Sequence, residues 1–194
     1  MGEGTAEGQP VWDGRVILCT ERLKLRTFLE ADLPHYAALN ADLEVMRYLG
    51  GHALSRADSD TIASAAQRSF ATTGVGKVAV ERAADGVFLG MCGLSVEPWY
   101  PDDLEIGWRL ARQFWGRGYA SEAATAWMGY AFEVLDAPRV ISVADVPNRR
   151  SIAVMQRIGL SLDHYATLAD GNETFEAAIY ALPAAAWRAA HARP

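Results

Sequence analysis

The sequence is poor in the residues that bind metals or staple small folds. Its two cysteines, Cys19 and Cys92, lie far apart and form no Cys-x-x-Cys pair. Apolar neighbours mark both as buried free thiols of a reducing, cytoplasmic protein. The four histidines, His35, His52, His164 and His191, show no ligand spacing and no accompanying acid or cysteine cluster, so no metal site is expected. No apolar run approaches the roughly 20 residues that cross a bilayer. The first ten residues, M-G-E-G-T-A-E-G-Q-P, lack the basic start and apolar stretch of a secretory signal. They read as the start of a flexible tail over 1–14. Basic charge is short too. Eighteen Lys+Arg against 24 Asp+Glu give a net charge of −6, which argues against a broad nucleic-acid surface. The balance weakly favours a cationic partner such as an amine.

What remains is ample for one domain over 15–194. The chain has 194 residues and is 51% apolar. Arg22–Phe28 alternates apolar and polar residues as a half-buried strand does. Asp32 is placed to cap a helix reaching Asn40, and Asp42–Tyr48 to add a short one. Ser55–Ala71 reads as a helix with Ile62, Ala65, Ala66 and Phe70 inward. Strands follow at Lys77–Arg82, Phe88–Val96 and Leu104–Leu110, the first two joined at a turn containing Asp85-Gly86. Tyr119–Leu135 is a long helix with Ala120, Ala124, Trp127, Met128, Ala131 and Leu135 on one face. A strand at Arg139–Val143, a helix from Asn148 to Gly159, a hairpin of Leu162–Leu168 and Thr174–Ala181 around Asp170-Gly171-Asn172, and an Ala-rich helix at Pro183–His191 complete the chain. The fold class is α/β, a mixed, strongly twisted sheet with helices on both faces.

The most informative stretch is Leu104–Ala123, L-E-I-G-W-R-L-A-R-Q-F-W-G-R-G-Y-A-S-E-A. A strand runs into spaced glycines and then a helix. That order gathers backbone N–H groups and a positive helix end at one point, which suits a pyrophosphate. Gly118 admits close approach of the backbone, Arg112 and Arg117 can screen phosphate charge, and Ser121 adds a hydroxyl in the first turn. Glycines in turns are common, so a purely structural loop is the competing reading. Two other phosphate motifs fit poorly. Gly116-x-Gly118-x-x-Ser121 lacks the third glycine of the dinucleotide fingerprint, and Gly74-Val75-Gly76-Lys77 enters a strand rather than a helix.

The spacing Gln113-x-x-Gly116-x-Gly118 resembles the acyl-coenzyme A signature of the GCN5-related N-acetyltransferase (GNAT) superfamily. Further blocks resemble its RimJ/RimL-like branch in order: Thr20-Glu21-Arg22-Leu23-x-Leu25-Arg26, Gly90-Met91-Cys92-Gly93-Leu94, Glu105-Ile106-Gly107-Trp108, Trp115 to Ala123, then Asn148-x-x-Ser151 and Gln156-Arg157-Ile158-Gly159-Leu160. The resemblance implies acetyl-coenzyme A as donor, a primary amine as acceptor, and central strands that splay to admit the pantetheine arm. It implies cofactor contacts from Leu110, Arg112, Gln113, Trp115, Gly116, Arg117, Gly118, Tyr119, Ala120, Ser121, Asn148 and Ser151. The branch's type members acetylate N-termini of ribosomal proteins, so a protein N-terminal amine is the expected acceptor. A small-molecule amine (antibiotic, polyamine or amino acid), a non-catalytic acyl-coenzyme A sensor and a scaffold without cofactor are the alternatives. Homodimerisation is left open.

Acetyl transfer to an amine sets three tasks. An ammonium of pKa near about 10 must lose a proton. An oxyanion developing on the thioester carbonyl needs a donor. The departing thiolate benefits from a proton or hydrogen bond. Glu105 is the candidate for the first task, directly or through water, although a salt-bridged strand residue is the plainer reading. By the resemblance, a backbone N–H near Arg109 or Leu110 serves the second and the Ser151 hydroxyl the third. Ser151 and Asn148 are also ordinary first-turn and N-cap residues. Trp99, Tyr100, Trp108 and Trp115 are expected to be mostly packing. Trp99-Tyr100-Pro101 sits in an expected loop that can wall the acceptor pocket, with Asp102 and Asp103 as solvated turn residues.

Overall fold

The computed structural model describes residues 10–171 and 173–192; side chains are described for these except Glu173. The strands are β1 (Val16–Cys19), β2 (Leu23–Arg26), β3 (Lys77–Arg82), β4 (Phe88–Glu97), β5 (Tyr100–Leu110), β6 (Arg139–Asp145), β7 (Ser161–Asp170) and β8 (Glu173–Pro183). The helices are α1 (Leu33–Ala41), α2 (Leu43–Met46), α3 (Arg56–Thr73), α4 (Tyr119–Glu133), α5 (Arg149–Arg157) and α6 (Ala184–His191). The strands form one sheet in the order β1-β2-β3-β4-β5-β6-β8-β7. Neighbours are antiparallel except β5 and β6, which are parallel.

That parallel junction positions the site. β5 and β6 stay in register only at Leu104 with Val140 and Glu105 with Ile141. Beyond this each strand remains zipped to its antiparallel partner, β5 to β4 as far as Leu110 and β6 to β8 as far as Asp145. The two therefore diverge and leave a wedge open toward the start of α4. The Ser142 hydroxyl donates to the Ile106 carbonyl at 2.9 Å and closes the apex.

Both faces of the sheet are covered. On one, the inward row of α4 (Tyr119, Ala123, Ala124, Trp127, Met128, Ala131 and Phe132) packs on Val78, Val80, Cys92, Leu94 and Ile106. On the other, Leu33, Tyr36 and Leu39 of α1 and Ala63 of α3 cover Ala79 and Met91. Trp127 is fully buried, so α4 sits firmly and fixes the direction of its N-terminus.

Several sequence expectations are corrected. Val16–Cys19 forms an edge strand that the sequence reading left out, and Cys19 is exposed, not buried. Asp32 does not cap α1. Its carboxylate accepts from Arg26 at 2.6 and 2.9 Å and from the Leu29 N–H at 2.7 Å. The inward row of α3 is Ser59, Ala63, Gln67 and Phe70, with Ala65 exposed. Two of these are polar, satisfied by Asn40 and by the Phe28 N–H, and so escape a search for apolar periodicity. The loop expected at Trp99-Tyr100-Pro101 is mostly strand: β5 begins at Tyr100, which pairs with Glu97 across a tight turn, and carries Asp102 and Asp103. Of the tail expected over 1–14, residues 1–9 lie outside the described residues. Trp12 packs beside Phe28 and Tyr36, and Asp13 bridges to Leu29. Asn172 of the expected hairpin turn also lies outside them.

Candidate active site

The wedge between β5 and β6 opens into a cleft of about 1450 Å³. One half is walled by the loop and first turn Gly116–Ser121 and by Asn148, Arg149, Arg150, Ser151, Val154 and Arg157 of α5 and its approach. The other half is floored by Lys77, Met91, Gly107 and Arg109 and bounded by Glu44–Gly51, Trp99 and Phe175. Trp99 is held in place by its indole N–H, which donates to the Ala169 carbonyl at 2.7 Å, and by an edge contact with Phe175.

Gly116 (φ +72°) and Gly118 (φ +81°) both turn through the left-handed region, which bends the chain sharply into α4. The first N–H to close a turn of α4 belongs to Glu122, which donates to the Gly118 carbonyl at 3.0 Å. The N–H groups of Gly116, Arg117, Gly118, Tyr119, Ala120 and Ser121 meet no acceptor among the described residues. They are the orphan donors of a helix start, extended by two glycine turns, on residues that line the cleft. No side chain caps this helix, so the position a cap would take is left to a ligand.

Basic side chains surround this point. Arg157 donates to the Ser121 hydroxyl at 3.1 Å, and Arg150 lies over the Trp115 ring at 4.8 Å. Arg117 stands on the loop itself. Of the residues expected to meet the cofactor, Leu110, Trp115–Ser121, Asn148 and Ser151 line the cleft together. Arg112 and Gln113 are exposed and stand outside its wall, Arg112 pairing with Asp42 at 3.6 Å. Arg149 and Arg150, on a helix distant in sequence, carry no expectation from the sequence, and Arg157 appears there only within the block Gln156 to Leu160. Only the turn of α5 toward the loop reveals them.

Asn148 is an N-cap as well as a wall residue: its side-chain oxygen accepts from the Ser151 N–H at 3.2 Å. The Ser151 hydroxyl makes no hydrogen bond among the described residues. The Trp115 indole donates to the Leu110 carbonyl at 2.7 Å. That carbonyl and the one on Ile106 both point toward the β6 side. Strand alternation then turns the Leu110 N–H into the wedge, whereas the Arg109 N–H faces β4.

Glu105 is buried. Its carboxylate lies 3.1 Å from the Lys77 ammonium and 3.0 Å from the Ser95 hydroxyl, which lies 2.7 Å from Glu97. Lys77 also meets Glu97 at 3.4 Å. Gly107 makes the room for this network, since a Cβ there would lie 2.7 Å from Lys77 Cε. Burial works to lower the lysine's pKa, but the two carboxylates outweigh it and hold the ammonium above its ordinary value. Lys77, not Glu105, forms the cleft surface.

The family model described as an acetyltransferase (GNAT) domain matches residues 22–161. This chain belongs to the GNAT acetyltransferase family. The GNAT domain is 33% identical over 150 residues to the uncharacterized protein YkkB of Bacillus subtilis, covering 76% of this chain and 85% of that protein. It superposes on an acetyltransferase from Agrobacterium tumefaciens with a TM-score of 0.72 and 31% identity, over 85% of this chain and 92% of the other. It shares its fold, at TM-score 0.72 and 19% identity, with RimL, a ribosomal α-N-protein acetyltransferase in complex with coenzyme A. That match covers 89% of this chain and 99% of RimL. Within this GNAT fold the residues of the cleft fit a coenzyme A. A row of unsatisfied amides ringed by arginines suits its diphosphate, and the open wedge suits its narrow arm. No helix is long and apolar enough to cross a membrane among the described residues.

Proposed function

We propose that the enzyme acetylates a primary amine with acetyl-coenzyme A in a ternary complex, the acceptor being a protein N-terminal amine. The observation that carries this reading is the run of unpartnered amides from Gly116 to Ser121 at the mouth of the β5–β6 wedge. When bound, acetyl-coenzyme A supplies an acetyl thioester whose carbon exchanges its bond to sulfur for one to the amine nitrogen. The chain's own groups do the rest. The amides of residues 116–121, with Arg117 and Arg157, hold the diphosphate. Leu110, Trp115, Tyr119, Ala120, Asn148 and Ser151 flank the arm. The Leu110 N–H faces the carbonyl oxygen and stabilises the charge that gathers there. The Ser151 hydroxyl, free of other partners, donates to the departing sulfur.

The proton released by the ammonium passes through water to Glu105 and ends, over the whole reaction, on the thiol. Lys77 is a poor base because its carboxylates keep it charged. The trio Glu97, Lys77 and Glu105 sums to one negative charge at the floor of the acceptor half. That charge favours an approaching ammonium.

Support for a protein N-terminus comes from the kinship of fold with RimL. A small-molecule amine is the second reading, favoured by the floor and walls that enclose the acceptor half. The test is mass spectrometry of peptides and small amines incubated with the enzyme and acetyl-coenzyme A. Acetylated peptide N-termini support the first reading, and acetylated small amines alone support the second. Binding of acetyl-coenzyme A with no acetylated product in either set contradicts catalysis and leaves a sensor.

A further inference from the structure

Arg109 stands in the acceptor half of the cleft, and no carboxylate pairs with it among the described residues. Its NH1 donates to the Asn40 side-chain oxygen at 2.6 Å. Its Nε is buried with no hydrogen-bond partner, and its second terminal nitrogen meets no acceptor among the described residues. Burial pulls its pKa below the usual arginine value, opposed only by Tyr36. Lys77, on the same floor, shows the contrast: it meets two carboxylates. A half-buried guanidinium held by one neutral amide is costly unless an anion completes it.

The arrangement around it is built. Asn40 is fully buried and its amide nitrogen donates to the buried Ser59 hydroxyl at 3.1 Å. This chain from α3 through α1 fixes the orientation of Asn40, and Asn40 fixes the guanidinium. A guanidinium held from behind, with its second terminal nitrogen meeting no acceptor among the described residues, offers that edge to a carboxylate. Arg109 lines the same cleft as Leu110, whose N–H faces the wedge. Earlier on β5, Glu105 contributes to the net negative trio, so one strand offers both a cationic and an anionic station.

We propose that Arg109 docks a carboxylate carried by the acceptor, so that preferred acceptors are amines with a carboxylate a few bonds from the nitrogen. This rests on the acetyl-transfer reading above. The carboxylate has two sources: the α-carboxylate of a free amino acid, or an acidic side chain at the first or second position of a protein N-terminus.

The test is a kinetic comparison of matched acceptors with full-length enzyme and acetyl-coenzyme A. One set pairs free amino acids with their amides. The other pairs short peptides bearing Asp or Glu at the first two positions with their Asn or Gln counterparts. In at least one set KM for the carboxylate acceptor is expected to be lower by about ten-fold or more, and that set identifies the source. In Arg109→Gln the ratio between the twins should fall to about one, the loss appearing in KM, while Arg109→Lys keeps part of the preference. Wild-type enzyme that turns over both members of every pair alike overturns the proposal, as does an Arg109→Gln preference equal to wild type. If no amine is acetylated although acetyl-coenzyme A binds, the functional reading itself fails and this inference falls with it.

Discussion

Arg22 and Glu122 fasten the first strands of the sheet to the loop that opens α4. Arg22 donates from Nε to Glu122 at 2.6 Å and from its main-chain N–H at 2.9 Å, and its NH1 reaches the Arg117 carbonyl at 3.1 Å. Thr20 adds a hydroxyl bond to the same carboxylate. The left-handed turns at Gly116 and Gly118 therefore hang on a carboxylate in the first turn of α4, which itself favours that helix end.

The Glu122 carboxyl feels burial, which raises its pKa, but the bonds from Thr20 and Arg22 outweigh it and hold it below its ordinary value of 4.5. A carboxyl lowered by folding stabilises the native state above that ordinary value, and the contribution is lost as pH falls through the lowered one. Glu122→Gln is expected to cost about 1 kcal/mol near neutrality, the partial exposure of Arg22 limiting the loss. It should also flatten the decline of stability below about pH 4.5. Urea unfolding across the acid range checks both, and a variant curve parallel to wild type at all pH values contradicts the assignment.

Gly118→Val is expected to weaken acetyl-coenzyme A binding by about ten-fold or more. A β-branched residue at φ +81° is strained by about 1–3 kcal/mol and relaxes by moving the amides on either side. The space around a Cβ here is not the obstacle, the nearest atom being Arg22 NH2 at 3.4 Å. Calorimetric titration measures the change, and unaltered affinity speaks against the loop.

Ser151→Ala removes a hydroxyl that no described residue bonds, so thermal stability should hold within about 0.5 kcal/mol. Turnover should fall about ten-fold while acetyl-coenzyme A affinity changes by less than about two-fold. Equal turnover removes the proposed donor to sulfur.

Glu105→Gln breaks a buried ion pair and leaves Lys77 with Glu97 alone. A loss of about 1–3 kcal/mol in stability is expected. The acid limb of the kcat/KM profile should change shape if this carboxylate receives the proton. A purely structural Glu105 lowers stability and leaves the profile where it was.

The loop, the long helix and the succession of central strands along the chain were legible because each rests on local chemistry: glycines in turns and periodic apolar faces. The splay was implied by resemblance alone, and its cause is a contest between neighbouring strands that no local pattern records. Lys77 with Glu105 and Arg109 with Asn40 were invisible for the same reason, since sheet pairing and the docking of α1 bring them together. Asp32 looked like a cap because Asp before a helix usually is one. Its carboxylate instead answers Arg26, a buried cation with a stronger claim. Arg149 and Arg150 carry no spacing that marks them, and the contact of Arg157 with Ser121 comes only from the way α5 approaches the loop.

The central claim is that the amides of residues 116–121 grip the diphosphate of coenzyme A. Backbone amide NMR during titration with coenzyme A, and separately with pantetheine, which lacks the diphosphate, tests it most directly. Large shifts of the Gly116–Ser121 amides with coenzyme A, absent with pantetheine, are the predicted result; amides that stay in place at saturating coenzyme A contradict the account.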